Sequence, residues 1–176
     1  MYANFPIKDT EMIDKIKDLF LSTGNSQGYL LFVLAINTGI NLKELLKLKV
    51  QDIKNKKYIV LGKGKSVPLD DELQEIIKDF TADSQGEDYL FKTKTGNTLD
   101  RIFVFNVFKS ICTKLGVQDR YSVASWRKTF AYHYYIKYKD LSYLQWLFNQ
   151  STVKQTLNYI GVDENMNLRF REGVSL

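Results

Sequence analysis

One Arg and one Lys stand together at the head of an aromatic run, Tyr121-Ser-Val-Ala-Ser-Trp-Arg-Lys-Thr-Phe-Ala-Tyr-His-Tyr-Tyr135. Arg127 falls in a segment that reads as a partly buried helix. A guanidinium there needs an anionic partner, either an internal carboxylate such as Glu44 or the phosphate of a ligand. A second cationic element is Gly62-Lys-Gly-Lys-Ser66, whose glycines read as the turn of a hairpin with Lys63 and Lys65 at its tip. Cations brought together from separate elements are suited to binding phosphate.

Composition narrows the setting. The chain has 176 residues, room for one domain, and its 25 Lys and Arg against 20 Asp and Glu give a net charge of +5. That excess favours a polyanionic partner without requiring one. A single Cys rules out an internal disulfide and fits a reducing compartment, and a single His beside it excludes a zinc site of the usual kind. No basic stretch followed by an apolar run opens the chain, and the longest apolar run, Tyr29 to Ile36, is too short to span a bilayer. The expectation is an intracellular, cytoplasmic protein with no membrane partner and no metal.

The elements that must position these residues follow from periodicity. Asp9 to Phe20 reads as an amphipathic helix with Asp9 at its N-cap, and Gln27 to Asn37 as a buried helix ending at Gly39. Asn41 to Leu48 reads as a short helix with Asn41 as N-cap and Glu44 three residues on. Val50 to Ile53, Tyr58 to Leu61 and Val67 to Leu69 read as short strands of a meander. Helices are expected over Asp70 to Phe80, Asp100 to Leu115, Val123 to Lys137, Leu141 to Phe148 and Thr152 to Tyr159. On the Asp100 helix, Ile102, Phe105, Phe108 and Cys112 are spaced along one stripe. The fold class is therefore mainly α with a small antiparallel β-sheet (α+β). Residues 1–160 are expected as one domain and 161–176 as a tail, flexible or partner-docking.

Four separated pieces stand in a suggestive order: Thr38-Gly-Ile-Asn-Leu-Lys-Glu-Leu-Leu-Lys-Leu-Lys49, Gly62-Lys-Gly-Lys-Ser-Val-Pro-Leu69, Ala124-Ser-Trp-Arg-Lys-Thr-Phe-Ala131, and Asp140-Leu-Ser-Tyr-Leu-Gln-Trp-Leu-Phe-Asn-Gln-Ser151 closed by Thr156-Leu-Asn-Tyr159. Together they resemble the catalytic domain of the tyrosine recombinases, the phage integrase family, over nearly the whole chain. Family patterns are TG-L-R-x-x-E-L, a GKG hairpin running into V-P-L, H-x-L-R-H-T-F-A, and D-L-x-x-I-Q-x-L-L-G-H-S-S with T-x-x-Y. The resemblance implies metal-free, cofactor-free phosphoryl transfer. A Tyr hydroxyl attacks a DNA phosphodiester, cationic donors hold the nonbridging oxygens, and a hairpin Lys protonates the leaving oxygen.

Carried over by that resemblance, Lys63 is the general acid, Arg127 the phosphate clamp and Tyr159 the nucleophile, with Glu44 at the acidic position after the first Arg. The departures are Asn41 at the first Arg, Ala124 at the first His, Asn149 at the later His with Phe148 where Gly is usual, and Lys128 at the His after the second Arg. The Asn149-to-Tyr159 spacing reads as one residue longer than the pattern. Lys43, two residues from Asn41, points to another helix face and does not replace the missing Arg. Blander readings stand beside these: Asn41 as a helix cap, Lys63 as a solvated tip, Tyr159 as packing, Arg127 paired with Glu44. His133 reads as a surface or partly buried residue, and the row Phe130, Tyr132, Tyr134, Tyr135 and Tyr138 as packing.

An Arg and two imidazole positions are gone together, and removing one such donor typically costs about 10²–10³ in rate. The leading expectation is therefore a binder of double-stranded DNA with little or no strand cleavage, acting as a regulator or accessory factor of a phage or mobile element. Candidate DNA contacts are Lys47, Lys49, Lys63, Lys65, Lys92, Lys94, Lys109, Lys114, Arg127 and Lys128. Its partners would be a homo-oligomer on DNA or a recombinase. The alternatives are an active but diverged recombinase and a protein-interaction module that no longer binds DNA. Family members carry an N-terminal DNA-binding domain, so the chain reads as a stand-alone form or a fragment.

Overall fold

The computed structural model describes residues 4–162; of Lys63 it describes the backbone but not the side chain. The core is built around α2 (Ser26–Thr38), a helix apolar nearly all round, in which every residue from Leu30 to Ala35 is buried. Such a helix is stable only when covered on several sides. α1 (Thr10–Ser22), α5 (Asp71–Phe80) and α7 (Val123–Tyr138) pack against it, and α6 (Arg101–Lys114) packs on α1 and α7.

Four rings from four helices lock this arrangement. Phe32 on α2 lies 5.9 Å from Phe20 of α1, 6.1 Å from Phe108 of α6 and 5.6 Å, edge on, from Trp126 of α7. Phe108 and Trp126 meet edge to face at 5.0 Å. Each ring pair adds roughly 0.5–1.5 kcal/mol beyond the area it buries. α7 also pins the N-terminal segment: Thr129 Oγ1 accepts from the Ile7 amide at 2.9 Å, and His133 Nε2 lies 2.9 Å from the Ile7 carbonyl. The single His is thus a half-buried strut, in keeping with its sequence reading.

After α2 the chain runs through α3 (Leu42–Leu45) and α4 (Val50–Ile53) to a two-stranded antiparallel sheet, β1 (Tyr58–Val60) and β2 (Ser66–Pro68), with Val60 opposite Ser66. The expected strand at Val50–Ile53 is a helical turn. Its β-branched residues favour a strand, but the Asp52 carboxylate accepts the Lys49 amide at 2.8 Å and closes the turn locally. Farther along, Tyr89 forms an isolated antiparallel bridge with Lys49.

The stripe on α6 differs from the expected one. Val104, Phe108, Ile111 and Cys112 are buried, whereas Ile102 is 68% and Phe105 39% exposed. The sequence allows two overlapping apolar stripes here, and contact with α1 and α7 selects the one rotated toward Val104. Burial pushes the Cys112 thiol up to about 12 and leaves it inert. α8 (Leu141–Phe148) and α9 (Val153–Ile160) complete the fold, with α9 on both α7 and α8. No helix among the described residues is long and apolar enough to cross a membrane. The expected tail lies, from residue 163 on, outside the described residues.

Removing the central ring tests this account. Phe32→Ala should destabilise the chain by about 3–5 kcal/mol, read from the midpoint of urea unfolding.

Candidate active site

α2 must stop sharply for the next helix to turn back, and Gly39 stops it. Its φ is +67°, and its amide donates to the Ala35 carbonyl at 3.1 Å. A Cβ here would come within 2.4 Å of the Phe130 ring, so only Gly fits. The turn points the Gly39 carbonyl outward, where Arg127 Nε donates to it at 2.7 Å.

Arg127 projects from α7 into the meeting place of α2, α8 and α9. Its Nη2 donates to the Leu147 carbonyl at 3.3 Å, and its guanidinium lies 4.4 Å over the Phe148 ring. The Tyr159 phenol, from α9, lies close enough to the same guanidinium for each group to shift the other's pKa. The Phe148 ring also packs 5.2 Å from Tyr159, forming a shared apolar floor under both. Burial lowers the Arg127 pKa, opposed by Tyr159 and Glu44, and the group stays a cation. Burial raises the Tyr159 phenol above its ordinary value, and Arg127 pulls it back down.

Beside them opens a cavity of about 290 Å³ lined by Asn41, Glu44, Gly62, Lys65, Arg127 and Asn149, among others. Asn41 caps α3, accepting the Glu44 amide at 2.9 Å, while its Nδ2 donates to the Glu44 carboxylate at 2.5 Å. Glu44 is thereby held by Asn41, and no ion pair between Glu44 and Arg127 lies within 4.0 Å among the described residues. The alternative of Arg127 paired with Glu44 is therefore corrected: carbonyls, a ring and a phenol hold the guanidinium. Lys65 reaches the cavity from the hairpin and donates to Asn149 Oδ1 at 2.9 Å. Asn149 ends α8 in the left-handed region at φ +56°.

The structure thus brings Arg127, Tyr159, Asn41, Glu44, Lys65 and Asn149 to one place. Ala124 sits exposed on the first turn of α7, outside the cavity lining. Lys128 lies 5.4 Å over the Tyr159 ring. Lys49 is paired with Glu87 at 2.8 Å and Lys92 with Asp88 at 2.6 Å, and each pair holds its carboxylate below the usual range. Lys47, Lys94, Lys109 and Lys114 are exposed and away from this cavity, Lys109 at the rim of a separate apolar one. The Lys63 side chain lies outside the described structure. Among the described residues, no cluster of His, Cys, Asp or Glu is arranged to hold a metal ion.

Sequence reasoning missed two supports: Phe148 as the floor of the guanidinium, and the Leu147 carbonyl as its acceptor. Phe148 was visible as a departure from Gly, yet its purpose depends on how α8 crosses α7.

The sequence model of the phage integrase family matches residues 10–166. A protein of Bacillus subtilis (strain 168) named probable integrase/recombinase YoeC is 30% identical over 171 residues, covering 94% of this chain and 93% of that protein. The crystal structure of XerA recombinase superposes with a TM-score of 0.76 at 17% identity, covering 99% of this chain and 67% of that one. The Tn1549 transposon integrase in complex with circular intermediate DNA gives 0.75 at 16%, covering 95% and 64%. This chain spans about two thirds of those two, and the likeness shows a tyrosine recombinase catalytic-domain fold.

Two changes probe the site. Gly39→Ala should destabilise the chain by about 1–3 kcal/mol through the strained φ, with more from the Phe130 clash, measured by thermal unfolding. Arg127→Met should push the Tyr159 phenol further up, because the cation that lowers it is gone. The tyrosinate signal that Tyr159→Phe removes would then appear at higher pH in an absorbance titration.

Proposed function

The chain belongs to the phage integrase family, and from that premise we propose that it binds duplex DNA and holds a backbone phosphate at Arg127, against Tyr159, with strand cleavage strongly attenuated. The observation that carries the reading is the convergence of Arg127, Tyr159 and Lys65 from separate elements on one place. A guanidinium kept desolvated by neutral carbonyls keeps its full charge for an incoming phosphate. The net charge of +5 suits a polyanion, and a structural neighbour of the same fold is described in complex with DNA.

Attenuation follows from what the other positions offer. The polar atoms of Asn41 cap a helix and hold Glu44, Ala124 has no donor, and Asn149 turns its oxygen toward a lysine. Binding phosphate needs cations, whereas cleavage also needs proton transfer and charge stabilisation that grow in the transition state. A protein that grips such a site without cutting it would act as a regulator or accessory factor of a phage or mobile element. A second reading, an active recombinase, is favoured by the nearness of the Tyr159 phenol to Arg127, whose charge lowers the phenol's pKa.

Incubation with nicked DNA and denaturing electrophoresis separates the two. We expect a non-covalent complex that weakens steeply with salt and no covalent protein–DNA band under conditions that saturate binding. A covalent band that disappears in Tyr159→Phe would establish the active recombinase instead.

A further inference from the structure

The aromatic row of α7, read from sequence as packing, divides once the helix is in place. Phe130, Tyr134 and Tyr138 follow one another at four-residue spacing and share a face. Phe130 is buried under the Gly39 turn, where a Cβ on the glycine would strike its ring. α7 then ends at Lys139, in the left-handed region at φ +56°, and Asp140 caps α8 at once by accepting the Tyr143 amide at 3.0 Å. The chain doubles back there and lays Tyr143 and Trp146 of α8 beside the α7 row. Between ring centroids, Tyr134 stands 4.9 Å from Tyr138 and 4.8 Å from Tyr143, and Tyr143 stands 5.6 Å from Trp146.

The two ends of this four-ring ladder face water. Tyr138 is 56% and Trp146 43% exposed, whereas Tyr134 and Tyr143 between them are half-buried. Rings braced by their neighbours lose little freedom when a flat partner settles on them. The charge alongside is positive: Lys137 Nζ lies 5.0 Å over the Tyr138 ring and Lys65 Nζ 5.0 Å over the Trp146 ring. The Asp140 carboxylate among them is taken up, one oxygen by the Tyr143 amide and the other by the Tyr134 hydroxyl at 3.4 Å. Burial and Asp140 push the Tyr134 phenol up to about 12, so that ring brings no negative charge. At its Trp146 end the ladder meets the cavity, because Lys65 also donates to the Leu147 carbonyl that receives Arg127. Exposed π-faces flanked by ammonium groups suit a strand that carries flat bases on an anionic backbone.

We propose that Tyr138 and Trp146 form a stacking platform for the unpaired bases of single-stranded DNA, with Lys137 beside the passing backbone. Every base has a π-face, so the platform is indifferent to sequence. This inference rests on the reading of the chain as a DNA binder and extends it from duplex to a strand without its complement.

The test titrates the whole chain with three fluorescein-labelled probes: an oligothymidylate, an abasic strand of the same length, and a duplex. Trp126 is 2% exposed, so of the two tryptophans Trp146 is the one a ligand can reach, and unlabelled oligothymidylate should quench its emission. Tyr138→Ser and Trp146→Leu should each weaken oligothymidylate binding by about 5- to 150-fold, the loss of one stacked base. Tyr138→Phe should bind as wild type does, and Tyr138→Ser should leave duplex affinity unchanged. The abasic strand, with the same charge and no bases, should bind more weakly than oligothymidylate. Equal binding of the abasic strand, or unaltered oligothymidylate binding in both ring variants, overturns the platform and leaves the duplex reading standing. Failure of the wild type to bind either oligothymidylate or duplex removes both. Self-association of the free chain that Tyr138→Ser abolishes would give this surface to a second copy and overturn the inference as well.

Discussion

A guanidinium drawn partly out of water is expensive unless polar groups meet it, and the site depends on how Arg127 is met. The Gly39 carbonyl fills one direction, Leu147 another, Tyr159 a third and the Phe148 face a fourth. These groups come from the end of α2, the last turn of α8, α9 and α8 again. Arg127 itself rides on α7, which the ring cluster around Phe32 and Trp126 fixes against α2. The core and the site therefore share one constraint: the ending of α2 at Gly39 and the placement of α7 must agree to within a hydrogen bond.

Neutral partners around a cation have an electrostatic consequence. A carboxylate in contact would cancel the charge that a phosphate needs, and Glu44 is kept from that role by Asn41. Carbonyl dipoles stabilise the guanidinium while leaving its net charge unopposed at close range. Tyr159 bears two opposed influences, burial and the adjacent cation, with burial the larger.

Much of the fold was legible because it rests on local signals. The caps read at Asp9 and Asn41 both accept backbone amides at helix starts. Val50–Ile53 was misread because strand propensity says nothing of a nearby carboxylate that can close a turn. The exposed Ile102 and Phe105 show the same limit for a helix with two apolar faces, where only the neighbour decides which one turns inward. At the site, Arg127, Tyr159 and Asn41 could be named because side-chain type and order carry them. The Leu147 carbonyl could not, since every residue has one and only the crossing of α7 and α8 selects it. Lys65 was read with Lys63 at the hairpin tip, and its reach to the end of α8 depends on how the hairpin lies against that helix.

Three consecutive residues at the end of α8 hold up both cations: the Leu147 carbonyl under Arg127 and Lys65, the Phe148 ring under Arg127, and the Asn149 amide, at the C-cap, against Lys65. None of the three lies in the ring cluster that locks α1, α2, α6 and α7 together. Leu147 and Phe148 are nonetheless buried, so the end of α8 serves the core and the site at once. A substitution in this tripeptide would be felt in packing and at both cations together.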